Sequence, residues 1–399
     1  MNSRHFLSTL LATGFAAGTA LAAVPADFDK HVASLRAIGR EGAGNPAAGA
    51  AFQAISAADA AAILPLLRAM ESSGPLSKNW MRSAVEVIVE RELKAKKPLP
   101  IDELKAFLLD TKQSPEARRF AFDLMAKIDA PAAEKLIPGF LNDPSTELRR
   151  DAVAQLIATG KSQVEKEDKP AAIATYKQAL DAARDVDQIQ EIAKQLSEKL
   201  GQEVDLPHHF GFLTHWQVVG PFDNTGRAGF EAVFDPEKEI KLDAKYKGKG
   251  DKEIVWQPFA STDAYGKVDL NLPFGPLKEV TGFAYTEYTA AEARPAELRL
   301  GCKNAWKIWF NGELVFGRDE YHRGQRIDQY KLPVQLKAGK NTILVKACQN
   351  EQTQDWTVEW EFQLRVCDST GTAILATDRP ATPKKEAPKR RGGDDAAKK

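Results

Sequence analysis

The chain has 399 residues, long enough for two ordinary domains, and 43% of them are hydrophobic, enough to fill their cores. Its 55 basic and 55 acidic residues balance, so no net field marks nucleic acid or an anionic lipid surface as a partner. The three cysteines include no C-x-x-C pair, which argues against structural zinc.

At the N-terminus Arg4 and His5 precede an apolar run from Phe6 to Ala17, which ends in the small-residue segment Gly18-Thr19-Ala20-Leu21-Ala22. This is the pattern of a secretory signal peptide over residues 1–22, cleaved near Ala22, and the run is shorter than the roughly 20 apolar residues of a membrane-spanning helix. The expectation is a periplasmic or secreted protein. No cysteine stands at the cleavage site to carry a lipid anchor, and no later stretch is apolar enough for a transmembrane helix.

Residues 23–200 are rich in alanine and leucine and helical in period. Arg118-Arg119 with Ala121 and Met125 recurs 31 positions on as Arg149-Arg150 with Ala152 and Leu156, and a looser copy begins at Arg82 with Ala84 and Ile88. Short helices that cannot bury their own apolar stripe stack on their neighbours. The pattern resembles HEAT repeats, which implies a helical solenoid and a surface on which a protein partner could sit. Pro115 and Pro144 fall where the second helix of a pair would start. The arginines are expected to pair mostly with Glu116, Glu147 and Asp151. From Pro170 to Leu200 a further helical pair faintly resembles one tetratricopeptide unit; a helical cap closing the solenoid is the plainer reading.

After Gly201 the period changes to that of strands. Turn signals at Gly248-Lys249-Gly250, Gly275-Pro276, Asn311-Gly312 and Ala338-Gly339 separate β-branched and aromatic runs over residues 205–376. Asn311-Gly312 predicts a hairpin with a type I′ turn. In the strand before it, alternation sends Trp306, Ile308 and Phe310 to one face and Lys307 with Trp309 to the other, and a two-residue turn would pair Trp309 with Leu314 and Lys307 with Phe316. The W-x-N-G hairpin, the later run from Leu336 to Lys346 and the opening GFLTHWQVVGPFDN together resemble the galactose-binding-like β-sandwich of secreted bacterial proteins. That resemblance implies a jelly roll whose usual role is ligand binding. The fold class expected is therefore a multidomain α + β chain, an N-terminal α-helical repeat solenoid followed by a galactose-binding-like β-sandwich. Residues 377–399, rich in proline and charge and including Lys389, Arg390 and Arg391, are expected to be a disordered tail.

Two polar loops carry the candidate chemistry. The stretch from Gly317 to Tyr330 mixes cations, carboxylates, an imidazole and phenols; Tyr321, His322, Arg323 and Asp328 are the types that fork onto hydroxyls or a carboxylate. The second, from Gln349 to Trp356, sets the amides Gln349 and Asn350 beside the Trp356 indole, a set suited to sugar hydroxyls. Docking against the helical part is the competing use of both loops. No cofactor is expected; structural calcium, which related sandwiches carry, would draw on Glu351 and Asp355, although no EF-hand spacing is present. Cys302 and Cys348, each at a strand end, are expected to form a disulfide that leaves Cys367 free.

Signatures for enzymes are missing: no G-x-S-x-G, H-E-x-x-H or G-x-x-x-x-G-K-[ST] occurs, and His208, His209 and His215 lack a ligand pattern. The expected function is that of an exported, non-catalytic binding protein for a carbohydrate or cell-envelope glycan. An adaptor that grips another protein through its helical repeats is the alternative. A hydrolase whose carboxylates meet only in space is the third reading.

Overall fold

The structure, a computed structural model, describes Val24 and residues 27–385. The expected signal peptide lies outside the described residues. Helices fill the N-terminal part and antiparallel sheets the C-terminal part, an α + β arrangement. The chain forms two compact units, Met1–Ala152 and Val153–Lys399.

The first unit is helical: α1 Phe28–Arg36, α2 Asn45–Ser56, α3 Ile63–Ala69, α4 Pro75–Lys94, α5 Ile101–Leu109, α6 Pro115–Ile128, α7 Ala130–Glu134 and the start of α8 Thr146–Glu165. Proline opens α4, α6 and α7 in the first turn, where its missing N–H costs nothing. Pro144 instead lies ahead of α8, and Ser145 caps the helix by accepting from Leu148 N. One core runs from Leu35 and Ile55 through Leu66, Met81 and Ile88 to Leu108, Phe120 and Met125. The repeated arginine pairs divide the work. Arg118 is buried, donates Nε to Leu108 O and forks onto Asp143 at 2.6–2.7 Å. Its repeat mate Arg149 is also buried and donates Nε to Asp143 O. Arg82 and Arg119 stay nearer the surface and reach forward along the chain, to Asp123 and Asp151 respectively.

Among the described residues, the second unit contains the rest of α8, α9 Lys169–Ala182, α10 Val186–Lys194 and α11 Leu206–Phe210, followed by twelve strands. The strands are β1 His215–Asp223, β2 Lys245–Lys247, β3 Glu253–Val255, β4 Gln257–Ala260, β5 Val268–Asp269 and β6 Val280–Ala290. They continue as β7 Arg294–Cys302, β8 Ala305–Phe310, β9 Glu313–Arg318, β10 Tyr330–Leu336, β11 Gly339–Gln349 and β12 Glu361–Cys367. A six-stranded sheet has the order β4-β1-β6-β11-β8-β9 and a four-stranded sheet the order β10-β7-β12-β5; β2 and β3 form a separate pair. Alternate residues of both larger sheets meet in one core, with Val218, Ala284, Trp306, Ile308 and Val345 from the first and Leu298, Leu300, Phe362, Leu364 and Val366 from the second. The other face of the six-stranded sheet is not bare. Val219, Phe283, Tyr285, Trp309 and Leu344 are covered by Tyr246, Ile254 and Trp256 of the segment between β1 and β4.

The hairpin turn forms as expected, with Asn311 and Gly312 at φ 52° and 83°. Trp309 faces Leu314, but a register shift between Ile308 and Trp309 then places Phe316 opposite Ile308, and Lys307 opposite Gly317. The expected Lys307–Phe316 pairing is thus off by one residue, because a β-bulge adds a residue to the outer strand of a sheet edge.

The expected Cys302–Cys348 disulfide does not form; all three cysteines are buried free thiols. Cys302 points into the core between the sheets, whereas Cys348 packs against Phe230 and Ala305 in a separate small cluster. The strand ends converge, but the two side chains belong to different clusters. Of the expected tail, residues 377–385 are described and the rest lies outside the described residues. Arg379 donates to Pro207 O and Phe212 O, Asp378 accepts from Thr289, and Lys384 pairs with Glu203.

Candidate functional site

Strand direction gathers the two candidate loops. Antiparallel pairing puts Gln349 opposite Val280, Asp223 opposite Val280 and Cys348 opposite Ala305, so β1 and β11 end where β6 and β8 begin. The segments leaving this end of the six-stranded sheet carry Asn224, Arg227, Lys278, Gln349, Asn350 and Trp356. The loop between β9 and β10 brings Tyr321 and His322 to the same place.

The amides at the base are fully committed. Gln349 is buried; its Oε1 accepts from Asn304 Nδ2 at 3.2 Å, and its Nε2 donates to Thr357 O at 3.0 Å. It is a brace between loops and cannot turn toward a ligand, a correction to its expected role. Asn350, also buried, accepts at Oδ1 from Gln352 N and lies 2.9 Å from His322 Nε2. An amide oxygen there requires that Nε2 carry the proton, which leaves Nδ1 as an acceptor. That Nδ1 is buried and has no partner among the described residues. Desolvation holds the His322 pKa below its ordinary value; the Asn350 contact opposes this, and Lys278, Lys303 and Arg227 add repulsion. His322 is therefore neutral at pH 7.

Above this base stands the Trp356 indole, 54% exposed, with the His322 ring set edge-on to it at 5.3 Å between centroids. Tyr321 OH accepts from Asn224 Nδ2 at 3.2 Å, and Arg227 lies 5.3 Å over the Tyr321 ring while forking onto Glu351 at 2.5 and 3.1 Å. Hydrogen bonds from Arg227 push the Glu351 pKa down to about 2. A carboxylate neutralised in this way does not suit calcium, and among the described residues no cluster of three or more His, Cys, Asp or Glu gathers as a metal site.

The other two expected residues lie apart. Arg323 is exposed and pairs with Glu320 at 3.4 Å. Asp328 sits against the four-stranded sheet, bound by Arg365 Nε at 2.7 Å and Arg299 Nη1 at 2.8 Å. Arg365 in turn donates to Phe210 O and Gly371 O. Asp328 is structural, because two buried guanidinium groups need its charge more than a surface ligand would. Asn224, Arg227 and Lys278 were missed by sequence reasoning. Asn224 closes the PFDN motif and so had a local signal; Lys278, which donates to Thr357 O at 2.8 Å, had none.

A groove of about 560 Å³ opens toward the opposite end of the same sheet, by His215, Gln217, Phe259, Tyr285 and Arg379. Several of its polar groups are spent on internal bonds: Tyr285 on Glu287, and Arg379 on carbonyls of the α11 segment. The loop cluster presents an aromatic face to solvent beside polar groups that are held in place, and on that chemistry we prefer it.

No family model matches the chain, and no curated protein sequence matches it. Among solved structures it is similar in part to a family 35 carbohydrate binding module from Clostridium thermocellum, at 15% identity over 22% of this chain and 72% of that one, with a TM-score of 0.17. A β-glucosidase from Kluyveromyces marxianus aligns at 14% identity over 44% of this chain and 22% of that one, with a TM-score of 0.25. The Pseudomonas fluorescens alkylpurine DNA glycosylase AlkC bound to DNA containing an abasic site analogue aligns at 11% identity over 82% and 79%, with a TM-score of 0.17. Overlaps of this size assign no family.

Proposed function

We propose that the chain is an exported, non-catalytic glycan-binding protein whose two larger sheets form a galactose-binding-like jelly roll and whose ligand rests on the loop cluster around Trp356. The observation that carries this reading is the exposed Trp356 indole, steadied by the edge of a neutral His322 that is itself fixed by buried Asn350. An exposed indole in the same loop cluster as the exposed Arg227–Glu351 pair matches a pyranose, which presents C–H bonds on its face and hydroxyls at its rim. In this reading the HEAT-like helices serve as a scaffold.

A glycan array probed with the full chain and with Trp356→Ala tests the proposal. Wild type should retain a defined set of glycans, and the variant should lose them with its thermal midpoint unchanged. Equal retention by both proteins would rule out the loop cluster as the site. N-terminal sequencing of protein recovered outside the cytoplasm tests export, with Ala23 expected as the first residue.

A further inference from the structure

A second cavity lies over the outer face of the four-stranded sheet, about 440 Å³ in volume and large enough for one monosaccharide-sized molecule. Gln363 of β12 forms its floor. Gln325, Arg326 and Ile327 of the β9–β10 loop form one wall, and Tyr265 and Val186 face them. The loop can lie this close to the sheet because Gly301, opposite Gln363 in β7, has no Cβ; one built there would stand 2.4 Å from Arg326 O.

The floor holds an unpaired donor and an unpaired acceptor side by side. Gln363 is 3% exposed, and its Oε1 accepts from Gln325 Nε2 at 2.9 Å. Gln363 Nε2 and Gln325 Oε1 are then buried with no partner among the described residues. Turning both amides over exchanges the roles without removing the deficit, since one bond between two amides leaves a donor on one and an acceptor on the other. Buried amide groups left this way are costly and rare. A hydroxyl satisfies both, accepting from the N–H and donating to the C=O.

Two cations stand at the same cavity and differ. Lys267 is neutralised by Glu361 at 2.9 Å. Arg326 is exposed and has no ion pair or side-chain hydrogen bond among the described residues, so its guanidinium fork is free to take a carboxylate. We propose that this cavity binds a hydroxy-carboxylate, its hydroxyl on the Gln325–Gln363 pair, its carboxylate on Arg326 and its carbon frame against Tyr265. The site is separate from the Trp356 cluster and does not depend on the reading given for that cluster.

Calorimetric titration of the full chain with D-galacturonate, L-lactate and D-galactose tests the assignment. Galacturonate or lactate should give saturable heat, the tighter of the two identifying a sugar acid or a small hydroxy acid, and galactose should bind more weakly than either. Arg326→Ala, a surface change that leaves the fold intact, should weaken binding about tenfold, and Gln363→Leu should weaken it at least as much. Trp356→Ala should leave the two acid titrations unchanged. The assignment is overturned if neither acid gives saturable heat, if galactose binds Trp356→Ala, which lacks the loop-cluster indole, as tightly as galacturonate does, or if Arg326→Ala matches wild type. It is also overturned if Trp356→Ala abolishes the signal, since the acid would then sit in the loop cluster.

Discussion

Single residues of one chemical type play opposite parts here, and burial separates them. Trp306 is fully buried between the sheets and Trp356 is 54% exposed. Trp306→Ala should cost about 3–5 kcal/mol in urea unfolding, the range for deleting a buried large aromatic, whereas Trp356→Ala should change stability by less than about 0.5 kcal/mol. Asp328 gives a pH-dependent prediction. Burial alone would raise its carboxyl pKa, but Arg365 and then Arg299 hold it below the ordinary value. The stabilisation is therefore complete above the unfolded pKa of about 3.9 and is lost as pH falls through the lower folded value. Asp328→Asn, which leaves buried Arg365 without a carboxylate and buried Arg299 with Glu297 alone, should cost about 3 kcal/mol at pH 7. The gap between wild type and variant should close in acid; a gap independent of pH would contradict the ion-pair account. The cysteines make a third test. Burial raises the thiol pKa of Cys302 to about 12 and of Cys348 and Cys367 to about 11, so none should react with a thiol reagent in the native protein and all three should react in denaturant.

Among elements, the repeated helices show how one motif yields two kinds of arginine. The Arg118–Asp143 pair is buried and carries the extra bond to Leu108 O, so Arg118→Ala should cost about 3–5 kcal/mol. The Arg82–Asp123 pair is 3.3 Å long and largely exposed, so Arg82→Ala should cost less than about 1 kcal/mol. Denaturant midpoints of the two variants decide this, and equal losses would mean that the inner arginine is no anchor. At the hairpin, Gly312 holds a left-handed conformation that other residues adopt at a cost. Gly312→Ala should destabilise by about 1 kcal/mol without moving the Trp309–Leu314 pairing.

For the molecule as a whole, the helices α9 and α10 belong to the same compact unit as the sheets. Arg184 Nε donates to Thr372 at 2.8 Å, Arg365 reaches Phe210 O, and Arg379 ties residues beyond 376 to the α11 segment. A fragment cut at 205 and 376 loses the first and last of these contacts. It should still give a sheet spectrum, but its thermal midpoint should lie about 5 °C or more below that of a fragment spanning residues 153–385. Equal midpoints would show that the added helices and the C-terminal strap contribute nothing to the stability of the sheets.

Local pattern was enough for the parts governed by near neighbours. The α + β division, the Asn311-Gly312 turn and the two faces of the 305–310 strand all follow from periodicity and turn chemistry within a few residues. Which candidate side chains meet depended on pairing between strands far apart in the chain. The loop from Gly317 to Tyr330 is split by the structure: Tyr321 and His322 go to the Trp356 cluster, Gln325 and Arg326 to a cavity, and Asp328 to Arg299 and Arg365. Likewise Cys302 and Cys348 end converging strands yet belong to different clusters, and Gln349 is consumed by Asn304 and Thr357. A side chain's residue type states what it can bond. Only the register and packing of distant strands decide what is left for it to bond with.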